Sequence, residues 1–132
     1  MPARTPVVLL LCFLACSGCA KKKSTEELMA DLKGGKEGER VVAARLLQHK
    51  QGDAARVVPA LIEALKDKAG DVRWSAAIGL GYYGAQARDA IPALQAAQHD
   101  RDGRVREAAR VAISRIDPTL KLMTAPDKAG GG

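Results

Sequence analysis

Displaced by 33 residues, the sequence falls into register with itself, and this constrains the fold more than any other feature of the chain. Val58-Pro59-Ala60-Leu61 aligns with Ile91-Pro92-Ala93-Leu94, Ala64 with Ala97, and Asp67 with Asp100. The match continues through Gly70 with Gly103, Val72-Arg73 with Val105-Arg106, and Ala76 with Ala109. One further step back sets Leu61, Leu65, Arg73, Ala76, Ala77 and Leu80 over Leu28, Leu32, Arg40, Ala43, Ala44 and Leu47. The proline, aspartate and valine of the motif are missing from that first unit, as befits a terminal repeat with one face in water. A unit of this length cannot bury its apolar face alone, and about three stacked units are the least that close a core.

Each unit reads as a pair of helices. Val58, Leu61, Ile62 and Leu65 recur at helical spacing, and Lys66 to Gly70 then interrupts the pattern with charge and glycine. Asp71 stands as the expected N-cap of a second helix whose core stripe is Val72, Ala76, Leu80 and Tyr83. Gly79 and Gly81 lie within one turn of that helix, at about 1 kcal/mol each relative to alanine, so a steric reason for them is expected. Pro59 and Pro92 fall where a first turn or a kink is tolerable. The units span about 26–50, 55–83 and 88–116, with Gly84-Ala85-Gln86-Ala87 joining the last two. The composition agrees: 47% of residues are apolar, but the aromatics are only Phe13, Trp74, Tyr82 and Tyr83, which suits closely packed helices better than a sheet.

Pro-Ala-Leu, followed by Asp-x-x-x-x-Val-Arg, Ala-Ala and Leu-Gly, resembles the HEAT repeats, of the short kind also found in phycobilisome lyase proteins. The resemblance covers about 26–116 and implies an all-α fold, a right-handed α-solenoid of three helix-pair repeats whose second helices line a concave face. It also implies a ladder of Asp and Arg at Asp67, Asp100, Arg73, Arg106 and Arg40. An arginine beside an apolar stripe needs a carboxylate once it is partly buried, so these charges are expected to be structural.

The net charge of +6 suggests nucleic acid until the charges are placed along the chain. Arg4 and Lys21, Lys22 and Lys23 precede the repeats, and residues 24–116 carry 15 basic against 13 acidic residues. A near-neutral, sign-mixed body makes a poor phosphate track, so no nucleic-acid partner is expected. The cysteines, Cys12, Cys16 and Cys19, all precede the repeats, so none is available to staple the body or hold a metal there.

Arg4, the apolar run from Val7 to Ala15 and the small residues up to Cys19 follow the order of a secretory signal. About nine apolar residues are too few for a spanning helix, which needs about 20. The ending Leu14-Ala15-Cys16-Ser17-Gly18-Cys19 resembles the lipobox of bacterial lipoproteins, which implies that residues 1–18 are removed and Cys19 is acylated. Cys16 stands where that family usually has Leu, and is itself a second candidate. Residues 19–25 then form a lipidated cysteine and basic spacer; Lys21 to Lys23 either meet anionic headgroups or simply stay solvated. Residues 117–132, with two prolines and a Gly-Gly-Gly end, are expected to be a disordered tail.

No catalytic constellation is legible. His49 and His99 fall near helix ends without a cysteine or a paired carboxylate, Gly34-Gly35 lacks the lysine and hydroxyl of a phosphate loop, and Asp100-x-Asp102-Gly103 lacks the later ligands of a calcium loop. No cofactor, metal or small-molecule substrate is expected. Trp74 stands out, because on a helical wheel it lies nearly opposite the core stripe. It is either an exposed anchor for a partner or a plug against a neighbouring repeat. Tyr82 joins it on the presented face, and Arg45 and Arg110 supply a polar rim. The expectation is a non-catalytic scaffold that binds another protein, anchored by lipid to a membrane of the bacterial cell envelope. The alternative is a lyase-like enzyme or accessory subunit of the phycobilisome-lyase type.

Overall fold

A computed structural model of the chain describes residues 21–123. The cysteines and residues 124–132 lie outside the described residues, so the lipidation site and the end of the expected tail do too. Among the described residues there is no strand, and helices follow one another in pairs: α1 (Thr25–Gly34) with α2 (Glu37–Leu47), α3 (Ala54–Ala64) with α4 (Gly70–Tyr83), and α5 (Ile91–Ala97) with α6 (Gly103–Ile116). The expected all-α solenoid is therefore present.

Local signals set the helix starts. Ser24 and Glu27 form a reciprocal capping box at α1, and the Asp102 carboxylate accepts the Arg104 N–H at the start of α6. Asp71 does not cap α4, contrary to expectation. The Asp67 carboxylate takes the Ala69 N–H at 2.8 Å, the connector tightens, and α4 begins at Gly70 with Ala69 as its N-cap. Asp71 thus falls in the first helical turn, and its carboxylate meets Arg104 of the next repeat at 2.8 Å.

The two repeated prolines part ways. Pro92 occupies the first turn of α5, after a 3-10 segment over Gly84–Ala90, where it forfeits little. Pro59 sits inside α3, which continues past it at the loss of one backbone hydrogen bond.

Each helix contributes a fully buried aliphatic side chain, Leu28, Leu47, Leu61, Leu80, Leu94 and Val105, to one continuous core. Each such burial is worth about 1.5–3 kcal/mol. The expected stripe of α4 is buried throughout, Tyr83 included. The Tyr83 hydroxyl donates to the Leu47 carbonyl, tying the second repeat to the first, and burial next to Asp53 pushes its pKa up to about 12. The glycines of α4 serve close approach. A Cβ on Gly81 would stand 3.2 Å from the Ala112 Cα, and one on Gly79 3.2 Å from Leu61 Cδ1.

Part of the expected tail is helical. Pro118–Met123 form α7, which packs back on α6 after Asp117, whose carboxylate accepts the Thr119 N–H. Proline at the first position and an aspartate just before it are a helix start that the short apolar content of this stretch conceals.

Candidate interaction face

Two of the arginines of the expected ladder, Arg40 and Arg73, bridge successive repeats. Arg40 on α2 donates through Nε and Nη2 to both oxygens of Asp67, at 2.8 and 3.0 Å, and Arg73 on α4 does the same to Asp100, at 2.8 and 3.0 Å. Each guanidinium also reaches back with Nη1 to carbonyls of its own connector, Gly35 for Arg40, and Asp67 and Lys68 for Arg73. Burial alone would push the Asp67 and Asp100 carboxyls up. The arginine hydrogen bonds and the amides of Ala69 and Asp102 outweigh it and hold both below the ordinary 3.8. Arg106 keeps the carbonyl contacts, to Asp100 and Arg101, but has no carboxylate partner among the described residues. With their partners fully engaged, Arg40, Asp67, Arg73 and Asp100 have little left to offer a ligand.

The second helices α2, α4 and α6 carry a different surface. The exposed large hydrophobic residues, Val42 (53%), Leu46 (43%), Tyr82 (52%) and Val111 (40%), all belong to these three helices. On α4, Trp74, Ile78 and Tyr82 follow at i, i+4 and i+8 and form a ridge. Between this ridge and α6 runs a groove of about 570 Å³, with Ala77, Gly81, Ala108, Ala112 and Val111 along it. A smaller hollow of about 160 Å³ lies on the ridge's other side, towards Arg45 and Gln48 of the first repeat. The small residues that let α4 and α6 approach one another also give the larger groove its depth.

Arginines lie against the ridge. The Arg45 guanidinium carbon is 5.6 Å from the Trp74 ring centre, Arg104 is 5.9 Å from it, and Arg115 is 5.5 Å from the Tyr82 ring centre. His49 adds a tilted ring contact to Tyr82 at 6.3 Å. Trp74 is half-buried against the core, and its remaining surface lines both hollows. Tyr82 and Arg45 join it, as placed from the sequence. Arg110 does not: it pairs with Glu107 at 3.2 Å and lies outside the residues that line the groove. On α6 it is Arg104 and Arg115 that reach the aromatic rings, one turn or more away on either side.

Ile78 was legible as the i+4 neighbour of Trp74. Arg115, Arg104 and Val111 come from the following repeat, and no local signal points to them. The Ser75 hydroxyl is buried without a hydrogen-bond partner and borders the smaller hollow. Among the described residues, no group of His, Cys, Asp and Glu has the geometry to hold a metal ion.

No curated protein matches the chain. The family described as HEAT repeats matches residues 25–114, the stretch that forms the three helix pairs. With that stretch covering more than half of the sequence, and with helix pairs stacked through repeated Arg–Asp rungs, the chain belongs to the HEAT repeat family.

Proposed function

We propose that this chain is a non-catalytic scaffold that binds another protein on the face formed by α2, α4 and α6. The observation that carries the reading is that the exposed large hydrophobic residues lie on those three helices, with Tyr82 and Val111 lining one groove together with Trp74. An apolar patch that includes a tryptophan and is rimmed by arginine has the composition of an interface hot spot. HEAT repeats commonly mediate protein–protein interaction, which fits this use of the face.

The scaffold is anchored to a membrane of the bacterial cell envelope through acylated Cys19, with its body outside the cytoplasm. This rests on the sequence of residues 1–19. Among the described residues no helix is long and apolar enough to cross a membrane. Several acyl chains, each worth about 0.8 kcal/mol per buried CH₂, would hold the protein on a leaflet, next to Lys21 to Lys23.

Two experiments test these claims separately. Photo-crosslinking in intact cells from a benzoylphenylalanine placed at Tyr82 is expected to trap one dominant protein, and Trp74→Ala is expected to abolish the product. An unchanged product with Trp74→Ala sinks the docking face. Metabolic labelling with palmitate is expected to disappear in Cys19→Ala and persist in Cys16→Ala; the reverse result moves the anchor to Cys16, and labelling of neither removes it.

A further inference from the structure

Two of the arginines on this face stand out by what they lack. Arg40, Arg56, Arg73, Arg104 and Arg110 each meet a carboxylate. Arg45 and Arg115 are exposed, each lies with its guanidinium carbon over an aromatic ring, and neither has a hydrogen bond or ion pair among the described residues. A guanidinium held against a ring is partly pre-ordered and keeps its N–H edges for a planar acceptor, which a carboxylate satisfies with two hydrogen bonds.

The two charges bracket the ridge. Arg45 of α2 stands at Trp74 on the side of the smaller hollow, and Arg115 of α6 stands at Tyr82 in the larger groove; the two rings are eight residues apart along α4, or about 12 Å at 1.5 Å per residue. Ile78 lies between the two rings, and the apolar groove towards Val111 runs on the Arg115 side. The one carboxylate lining that groove, Glu107, is already paired with Arg110, and Arg104 is already paired with Asp71 and Asp102. The surface therefore presents two uncompensated positive charges with an apolar stretch between them.

We infer that this face takes an acidic amphipathic helix of another protein, seated along the Trp74–Ile78–Tyr82 ridge with apolar residues towards Ile78 and Val111 and carboxylates on its two flanks reaching Arg45 and Arg115. This rests on the reading of the face as a docking surface and adds the chemistry of what docks. A helix is favoured over an extended peptide because the groove is walled by helices whose backbone groups are already bonded internally. Such walls offer no strand edge, and a helical guest satisfies its own backbone.

The test is selection from a displayed library of helical peptides, with randomised exposed positions, on the purified full-length chain. Enrichment of peptides with Asp or Glu on both sides of a Leu, Ile or Phe stripe is expected. Individual winners should bind the Arg45→Gln/Arg115→Gln variant about tenfold more weakly, and should lose affinity as salt is raised. Both substitutions replace exposed side chains without hydrogen bonds, and matched thermal melting will show that the variant is folded. Enrichment of basic or uncharged peptides, winners indifferent to the two arginines, or no winners at all each overturn the inference. So does a dimer seen in sedimentation that Tyr82→Ala dissolves, since a second copy is then the occupant. If the selection fails while Trp74→Ala still abolishes crosslinking in cells, the docking face stands and only the acidic helix falls.

Discussion

Arg73 and Asp100 face each other through two parallel hydrogen bonds of 2.8 and 3.0 Å, the side chains only 7% and 12% exposed, and in doing so join the second helix of one repeat to the connector of the next. The guanidinium would otherwise be buried with an unmet charge. Asp100→Ala is therefore expected to cost about 2–3 kcal/mol in urea denaturation followed by circular dichroism. Glu26→Ala, which breaks the exposed pair with Arg56, should leave the midpoint close to that of the parent. Equal effects of the two substitutions would show that the rung adds nothing to the stack.

The same rungs set the acid limit of the fold. Asp67 and Asp100 titrate below 3.8 when folded and near 3.8 when unfolded, so between those values the unfolded chain binds more protons. Their contribution is complete above about pH 4 and is lost as pH falls through the folded values. Denaturation at a series of pH values should show stability falling below about pH 4, and a smaller slope there for Asp67→Asn/Asp100→Asn. An unchanged slope in that variant would assign acid unfolding to other groups.

Gly79 and Gly81 sit two residues apart on α4, but a methyl group meets different things at each. At Gly81 it meets the backbone of Ala112, which cannot yield without moving α6; at Gly79 it meets the end of the Leu61 side chain, which can rotate. Gly81→Ala is expected to destabilise by about 1–2 kcal/mol, the overpacking cost exceeding the gain in helix propensity. Gly79→Ala should be close to neutral, because about 1 kcal/mol of helix propensity offsets the crowding. Thermal denaturation of the two variants decides it; the opposite order would mean that α4 and α6 are not held as close as 3.2 Å.

Ser75 occupies the repeat position held by Val42 in the first unit and Ala108 in the third, and its hydroxyl is buried with no partner. Removing an unmet polar group relieves its desolvation, so Ser75→Ala should raise stability by about 1 kcal/mol. A loss of stability would show that the hydroxyl has a partner, a bound water or a ligand in the hollow beside Arg45.

The HEAT architecture was legible because its signals are local or strictly periodic: 33-residue self-similarity, aliphatic spacing within single helices, and recurring Asp and Arg. The face was legible only in part. Trp74, Tyr82 and Arg45 are found from a helical wheel, but a wheel gives a helix one partner, whereas α4 packs against α2, α3 and α6 at once. What the wheel takes for open surface opposite the core is largely the seam with the next repeat. For that reason a wheel puts Arg110 on the rim and misses Arg104 and Arg115, and the local sequence marks Asp71 as a cap although its carboxylate reaches another repeat.

Spacing within one repeat is enough to show a stack of helix pairs, which residues of each pair are buried, and which arginines and aspartates recur. The setting of repeat on repeat supplies the rest: Arg40 and Arg73 pair forward to the next repeat's Asp, α4 and α6 leave a groove beside the Trp74–Ile78–Tyr82 ridge, and Arg45 and Arg115 stand without carboxylates on opposite sides of that ridge. The physical reason is that these relations join residues about 30 positions apart, and their geometry depends on how one repeat is set against the next. That setting comes from small residues in contact, Gly81 against Ala112 among them, and not from any pattern within a single helix.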